Sequence, residues 1–133
     1  MEKTDFNEIL DVFKTGTELN LGIFPNTNIV KYGYSCIGEE FILYLQGIEK
    51  IDIVRNYVEK NKSVNFNKWS IKGKMVSGHG NVTILETKEE KTNGLKYIMK
   101  QQTEMGNKYN INDNELEELF VFKILVENIY MMR

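Results

Sequence analysis

A helical repeat of apolar residues opens the chain. Between positions 6 and 13, large apolar side chains recur at steps of three and four residues, which places them on one face of a helix. These residues are Phe6, Ile9, Leu10 and Phe13. Gly16 follows as a residue at which such a helix commonly ends. We therefore predict an amphipathic first helix with one buried apolar face.

The period of the apolar residues then shortens to two, which indicates β-strands. Turn-forming residues divide this part of the chain twice. The predicted strands cover 18–24, 28–37 and 41–46, with turns at 25–28 and 37–40. In the second strand, Val30, Tyr32, Tyr34 and Cys36 share one face, and Lys31 lies on the other. The short connections predict an antiparallel meander.

An apolar strand, a glycine and an amphipathic helix follow one another over 41–61, with the helical period beginning after Gly47. The first turn of such a helix presents unpaired N–H groups, which can hold a phosphate or a carboxylate. Lys50 lies in that turn and opposes the helix dipole, so a bound anion would offset a cost of roughly 0.3–1 kcal/mol. Alternatively, Glu49 neutralises Lys50 and both side chains face water.

The second half of the chain combines strands with one longer helix. Glycines interrupt a long extended stretch, which indicates bulges or bends of the kind that turn the corner of a barrel. Thr87 and Glu90 form a capping box before a helix that stops ahead of Gly106. The other predicted elements are a strand at 63–66, a bent strand at 69–86, a brief helix at 112–119 and a strand at 120–126. Strands outnumber helices, so we predict a mainly β (α+β) fold, a small antiparallel barrel with peripheral helices rather than a doubly wound sheet.

Composition limits the partners and the compartment. A length of 133 residues predicts one domain over residues 1–133. The formal net charge is −2 and the lysines are scattered, which argues against nucleic acid or an anionic membrane as the main partner. The apolar runs are too short for a membrane span, and the first residues show no secretion signal. Cys36 is the one cysteine, so no disulfide forms within the chain and a reducing cytoplasm is expected.

Four side chains could carry chemistry, and each has a plainer interpretation. His79 could act as a general base, but no partner in a catalytic spacing is evident, so no catalytic residue is assigned. One histidine and Cys36 are too few for an ordinary structural zinc site, so no metal is expected. Trp69 could stack on a planar ligand or fill a core or dimer contact. Lys31 would require an anion if it pointed inward and nothing if it pointed outward.

Several short motifs occur in a defined order along the chain. They are Lys31-Tyr32-Gly33-Tyr34 in the second strand, Lys50-Ile51 at a helix start, and Gly78-x-Gly80 followed by Glu89-Glu90-Lys91 at the next helix start. Their order and spacing resemble those of the flavin-binding split-barrel proteins related to pyridoxamine 5'-phosphate oxidase. The similarity covers nearly the whole chain and is greatest to the 5-nitroimidazole-resistance (Nim-like) branch.

The resemblance implies a homodimer of six-stranded split β-barrels with FMN at the subunit interface. The cofactor-binding residues that it implies are Val30, Lys31, Tyr32, Leu45, Gln46, Gly47, Lys50 and Trp69. Lys50 and the helix start would hold the phosphate, which agrees with the anion site inferred from the residues. Lys31 and Tyr32 would line the ring, and Trp69 would cover it from the other subunit.

The resemblance leaves more than one function open. The first is an FMN-dependent oxidoreductase that reduces a small aromatic or nitro compound, with the redox chemistry carried by the flavin. Nim-like proteins often have a histidine near the end of the third strand, where this chain has Leu43, Leu45 and Gln46. The alternative is therefore a non-catalytic flavin- or haem-binding protein that serves as a reservoir or stress sensor. A further possibility is a dimeric scaffold that has lost its cofactor.

Overall fold

The described part of the chain forms a closed antiparallel barrel with helices around it, as predicted. The computed structural model describes residues 3–23, 26–47, 51–108, 116 and 119–132. The elements along the chain are α1 (Lys3–Lys14), β1 (Glu18–Ile23), β2 (Asn26–Ile37), β3 (Glu40–Gly47), α2 (Ile51–Lys60), β4 (Ser63–Trp69), β5 (Met75–Leu85), α3 (Lys88–Glu104) and β6 (Val121–Met132). Neighbouring strands follow the order β1-β2-β3-β6-β5-β4, and β4 pairs with β1 to close the barrel. None of the described helices has the length and apolar character that a membrane span requires.

Side chains from alternating strand positions fill the interior of the barrel. Phe13 of α1 enters this core, and its ring makes edge contacts with Tyr32, Phe41 and Phe66 at centroid distances of 5.8, 5.3 and 6.3 Å. Val58 of α2 is buried in the same core. Edge-to-face pairs of this kind add to the free energy gained by burying the rings. Because the interior is packed with side chains, a large ligand must bind on the outside of the barrel.

α3 packs on the outer face of the barrel, mainly on β2 and β3. The predicted capping box is present: Thr87 Oγ1 accepts a hydrogen bond from the Glu90 N–H at 3.1 Å, and the Glu90 carboxylate accepts one from the Thr87 N–H at 3.3 Å. The helix approaches β2 most closely at Gly33, where a Cβ atom would lie 2.2 Å from the carbonyl carbon of Tyr97. A second apolar cluster lies under the helix and contains Tyr44, Leu85, Leu95, Ile98, Leu116 and Val121.

The first hairpin differs from the predicted turn at 25–28. Residues 26–28 belong to β2, and they continue the ladder with β1 in the pairs Ile23–Asn26, Gly22–Thr27 and Leu21–Asn28. Tertiary pairing holds these polar residues in a strand although asparagine has a low preference for one. Positions 24 and 25, positions 48–50 and most of the predicted helix at 112–119 lie outside the described residues. The hairpin at 37–40 is confirmed, with Gly38 at φ 62° in its turn.

The predicted bent strand at 69–86 is wrong, because the chain reverses within it. A turn at 70–74, in which the Ser70 N–H donates to the Lys74 carbonyl at 2.7 Å, separates β4 from β5. The predicted strand at 63–66 continues to Trp69, since Lys68 points inward and keeps the alternation. The predicted bulge is present as a register shift between His79 and Gly80. The last strand is longer than predicted and ends at Met132.

Candidate functional site

Three of the predicted cofactor-binding residues have their side chains inside the barrel. Val30, Tyr32 and Leu45 are almost completely buried in the main core. The Tyr32 hydroxyl lies 2.5 Å from the carbonyl oxygen of Phe13 and 3.0 Å from that of Thr15, so it ties β2 to the end of α1. Burial, with a smaller effect from Tyr34, raises the pKa of Tyr32 far above its usual range, so its hydroxyl stays a donor. A ligand on the outer face could reach these three residues only through their backbone.

Lys31 and Gln46 lie side by side on the outer face of the barrel. They occupy directly paired positions of β2 and β3, and Glu18 of β1 is paired with Lys31 on its other side. Opposed side chains in an antiparallel pair have Cβ atoms about 5 Å apart, so an ammonium and a carboxamide lie within reach of one bound group. Gly47, the last residue of β3, is paired with Val30 one position along. The structure thus brings together predicted residues that are distant in the sequence.

Trp69 ends β4 on the same outer face, with its side chain 58% exposed. The register between β4 and β1, continued by two residues, places Trp69 beside Glu18. Trp69, Glu18, Lys31 and Gln46 therefore form a transverse line across β4, β1, β2 and β3, which we call the outer row. Neighbouring strands are about 4.8 Å apart, so Trp69 and Lys31 are separated by about 10 Å within one subunit.

Lys50 lies outside the described residues, so its place in the site stays a prediction. The described chain resumes with α2 at Ile51, and three residues separate it from Gly47 at the end of β3. The start of α2 is therefore tied by a short connection to the strand end beside Lys31 and Gln46. A helix N-terminus in that place would add N–H donors and positive potential to the outer row.

The outer row has the chemistry of a binding surface. The Lys31 ammonium can pair with an anion, the Gln46 amide can both donate and accept hydrogen bonds, and the Trp69 indole can stack on a planar ring. Glu18 was missed in the sequence analysis, since only the pairing of β1 with β2 places it beside Lys31. None of these four side chains is a strong nucleophile, so any redox chemistry would come from a bound group.

A second exposed surface lies on the outer face of β1, β4, β5 and β6. Two lines of paired residues cross it, one through Asn65, His79 and Asn128 and the other through Asn20, Asn67, Ser77 and Tyr130. We call these seven residues the amide face, because four of them are asparagines and none is lysine, arginine, aspartate or glutamate. Asn20 donates to Asn67 across the strands at 3.1 Å. This face is not evident from the sequence, since it is spread over four strands.

The two other chemical candidates lie apart from the outer row. His79 is half-buried on β5, between Asn65 and Asn128 in the amide face. The half-buried Cys36 lies near the β2–β3 turn, with its sulfur 4.0 Å from the carbonyl oxygen of Gly38. Across the described ranges, no three His, Cys, Asp or Glu side chains are grouped to hold a metal ion. Neither residue therefore adds a catalytic or metal-binding group to the outer row.

Comparison with known proteins gives structural matches only. No protein-family model matches the chain, and no curated protein matches it. Among solved structures, a candidate 5-nitroimidazole antibiotic resistance protein from Bacteroides thetaiotaomicron has a TM-score of 0.67 at 19% identity, covering 96% of this chain and 82% of its own. A candidate pyridoxamine 5'-phosphate oxidase from Listeria innocua has a TM-score of 0.63 at 17% identity, covering 95% and 96%. An FAD-binding protein from Mesorhizobium loti has a TM-score of 0.57 at 15% identity, covering 98% and 94%.

These structural neighbours are of the kinds that the sequence motifs resemble. They include a Nim-like protein, a pyridoxamine 5'-phosphate oxidase-like protein and a flavin-binding protein. The alignments extend over nearly the whole chain, so the barrel and its helices are shared rather than a single hairpin. At identities of 19% or below, what is shared is the fold. The chain therefore has the split-barrel fold of these proteins.

Proposed function

We propose that the protein is an FMN-binding oxidoreductase of the Nim-like, pyridoxamine 5'-phosphate oxidase-related class, acting on a small aromatic or nitro compound in the cytoplasm. The observation that carries this proposal is the outer row, in which Lys31 and Gln46 are directly paired and Trp69 lies on the same face. The flavin-related neighbours support the choice of ring.

The residues of the outer row fit a phosphorylated planar ring. Lys50 and the start of α2 would pair with the phosphate, as the N-termini of helices commonly do. Lys31 and Gln46 would hydrogen-bond the polar edge of the ring, and the backbone of Val30 and Gly47 would border it. A bound flavin would supply the electron transfer, while the protein orients the ring and excludes water from one side.

A homodimer belongs to this proposal, and the amide face supports it. A twofold interface sets the same surface against itself, so like charges near the axis repel. The amide face avoids this problem, because its asparagine side chains both donate and accept hydrogen bonds. Trp69 lies next to this face, on the same side of β4 as Asn65 and Asn67. Dimerisation through the face would carry Trp69 towards the other subunit, where it could cover a bound ring.

The alternative is a flavin- or haem-binding protein without turnover. The observation that favours it is the end of β3, where Nim-like proteins often have a histidine. Leu43 and Leu45 are buried in the core there, and Gln46 is the outward residue. The imidazole of His79 lies on another strand, so it does not replace the missing group.

FMN titration tests the proposal directly. The purified protein should show flavin absorption bands, or the apo form should bind added FMN with a rise in melting temperature. Lys31→Ala and Lys50→Ala should each weaken FMN binding about tenfold, which corresponds to about 1.4 kcal/mol, while the control Lys96→Ala on α3 should not. Absence of both bound flavin and any thermal shift would leave the cofactor-free scaffold. Tight FMN binding without reduction of a nitro compound by a reduced nicotinamide would favour the reservoir.

A further inference from the structure

The second strand, β2, extends beyond its neighbour β1 at one end. The ladder between the two strands ends at Lys31, so no described strand accompanies the rest of β2 on this side. The last backbone hydrogen bond there runs from the Tyr32 N–H to the Thr17 carbonyl, at 3.2 Å. On its other side β2 stays paired with β3 as far as Ile37. Residues 33–37 therefore form an open strand edge at one end of the barrel.

The backbone groups of Tyr34 and Cys36 face this open side. In a strand, the N–H and C=O groups of alternate residues point to the same side, and the Tyr32 N–H points towards β1. The backbone groups of Ser35 point the other way, to its partner Ile42 on β3. A row of outward N–H and C=O groups of this kind pairs readily with the backbone of another extended chain.

A cavity of about 340 Å³ lies along the same edge, between the end of β2 and α3. Tyr34, Cys36 and Ile37 line it from β2, and Lys100 and Glu104 line it from α3. The Ile37 side chain is 75% exposed, so it offers an apolar contact at the end of the strand. The edge is therefore bordered by open space rather than by another described strand.

The wall that α3 contributes to this cavity is held in place. The helix meets β2 at Gly33, where a Cβ atom would lie 2.2 Å from the carbonyl carbon of Tyr97. Further along, the Gln101 side chain donates to the carbonyls of Phe13 and Gly16 at 3.1 and 2.7 Å. Because both contacts fix the helix relative to the barrel, an incoming chain meets a preformed groove.

Carboxylates lie close to the phenol of Tyr34. Burial raises the pKa of Tyr34, and neighbouring groups that include Glu104 of α3 and Asp11 of α1 raise it further. Asp11 also pairs with Lys14 at 3.5 Å, and Lys100 adds one positive charge to the cavity wall, so Glu104 is the main free anion beside the phenol. The side chain of an added strand opposite Tyr34 would lie on the same face as the phenol, where a cation is favoured.

We propose that the end of β2 binds an extended segment of a partner protein, which adds a strand to the open edge and places a lysine or arginine opposite Tyr34. The segment would exchange backbone hydrogen bonds with Tyr34 and Cys36, and an apolar side chain would contact Ile37. The cationic side chain would pair with Glu104. This site involves neither the outer row nor the amide face, so it does not depend on the flavin.

Amide hydrogen exchange on the full chain tests the edge. In the free protein, the amides of Tyr34 and Cys36 should exchange at least about tenfold faster than that of Ser35, which donates to β3. The blocked peptide Val-Val-Thr-Lys-Thr should slow the exchange of Tyr34 and Cys36 saturably. N-methylation of its lysine nitrogen should abolish this effect. N-methylation of the central threonine nitrogen should not, because that N–H points away from β2 in the proposed register.

Variants of the protein test the same contacts from the other side. Cys36→Pro removes an edge N–H and leaves the ladder with β3 intact, so it should weaken peptide binding at least about tenfold. Cys36→Ala is the matched control, because it keeps the N–H and should bind as the wild type does. Glu104→Lys should reverse the charge preference, so that a peptide with glutamate in place of lysine binds better. Glu89→Lys, in the first turn of α3, should leave the preference unchanged.

Two results would overturn this proposal. One is slow exchange of Tyr34 and Cys36 in the free protein, equal to that of Ser35, because the edge would then be covered already. If the molecular mass of the assembly also falls in Cys36→Pro, a second copy of this chain covers the edge instead of a different partner. The other result is equal binding of the peptide methylated at lysine. If Cys36→Pro folds poorly, the methylated peptides and the exchange rates of the wild type decide the matter.

Discussion

Lys31 and Lys68 both lie within β-strands, but their side chains point to opposite faces of the barrel. Lys31 lies on the outer face and is half-buried between neighbours of opposite and neutral charge, Glu18 and Gln46. Lys68 lies on the inner face, against the Tyr32 ring. The parity of a strand position thus decides whether a lysine lies on the outer face of the barrel or in its buried interior.

Replacement of Lys68 by methionine should change how stability depends on pH. The folded-state pKa of Lys68 is lowered, so between that value and 10.5 the unfolded chain binds more protons than the folded one. Because of Lys68, the free energy of unfolding of the wild type should therefore increase as the pH rises through this window. Above about pH 10 the tyrosines with raised pKa, Tyr32 among them, act in the opposite direction.

The difference in the free energy of unfolding between wild type and Lys68→Met reports the contribution of the lysine. Urea denaturation of wild type and Lys68→Met at a series of pH values should give a free-energy difference that moves in favour of the wild type as the pH rises towards 10. Lys96→Met, on the exposed side of α3, should give a flat difference. A flat difference for Lys68→Met as well would show that its amine keeps an ordinary pKa in the folded protein.

At the scale of the elements, two glycines set how closely α3 can pack on the barrel. A Cβ at Gly33 would meet the backbone of Tyr97 at 2.2 Å, whereas one at Gly94 would meet the flexible side chain of Leu85 at 2.8 Å. Gly33→Ala should therefore destabilise the protein by about 1–3 kcal/mol or more, because the helix has to move. Gly94→Ala should be much milder, since alanine gains about 1 kcal/mol of helix propensity.

Chemical denaturation of the two variants gives the comparison. Far-ultraviolet circular dichroism should show a native-like spectrum for Gly94→Ala and a lowered midpoint for Gly33→Ala. If Gly94→Ala were the more damaging substitution, the close approach of α3 would be on the β5–β6 side instead of on β2.

The capping box of α3 supplies a second test at this scale. Thr87→Ala removes the side chain that accepts from the Glu90 N–H, so it should cost about 0.5–2 kcal/mol of stability. Thr92→Ala is the matched control, because Thr92 only donates to the Lys88 carbonyl within the helix and its loss should be near neutral. Equal losses from the two substitutions, measured by urea denaturation, would mean that the cap does not hold the helix start.

Local signals were enough to predict the elements whose boundaries depend on nearby residues. The capping box at Thr87, the turn at Gly38 and the buried face that includes Phe13 are of this kind. Strand limits that depend on partners were missed: residues 26–28 stay extended because β1 pairs with them, and Lys68 keeps the alternation although lysine is seldom buried.

The same distinction holds for the candidate site. The motif around Lys31 was evident from the sequence, but its pairing with Gln46 and Glu18 follows from the strand order of the whole barrel. The buried side chains of Val30 and Tyr32 follow from the alternation of β2, and that of Leu45 follows from the alternation of β3. The amide face could not be predicted, since residues from four strands contribute to it and no two adjacent residues belong to it.

At the scale of the whole molecule, the interior of the barrel is packed, so a large ligand or a partner must bind on its outer surface. Phe13 of α1 and Val58 of α2 both pack into the core, and α3 covers part of the outside. What remains exposed includes the outer row and the amide face, which lie next to each other on β1 and β4. A second subunit on the amide face would turn the exposed row into the wall of a cleft, so flavin binding and dimerisation should be linked.

A single added charge on the amide face tests that link. Asn65 is exposed in the single chain, so Asn65→Lys should fold normally, but a twofold interface would bring two lysines together and repel the subunits. The wild type should have twice the 15.6 kDa mass of one chain at micromolar concentration, and Asn65→Lys should have the mass of one chain. Asn93→Lys makes the same charge change on the exposed side of α3 and should stay dimeric.

FMN affinity should fall at least about tenfold in Asn65→Lys alone, because the monomer lacks the covering Trp69 of the other subunit. A monomeric wild type that binds FMN tightly would separate the two properties, and a dimeric Asn65→Lys would move the interface to another face of the barrel.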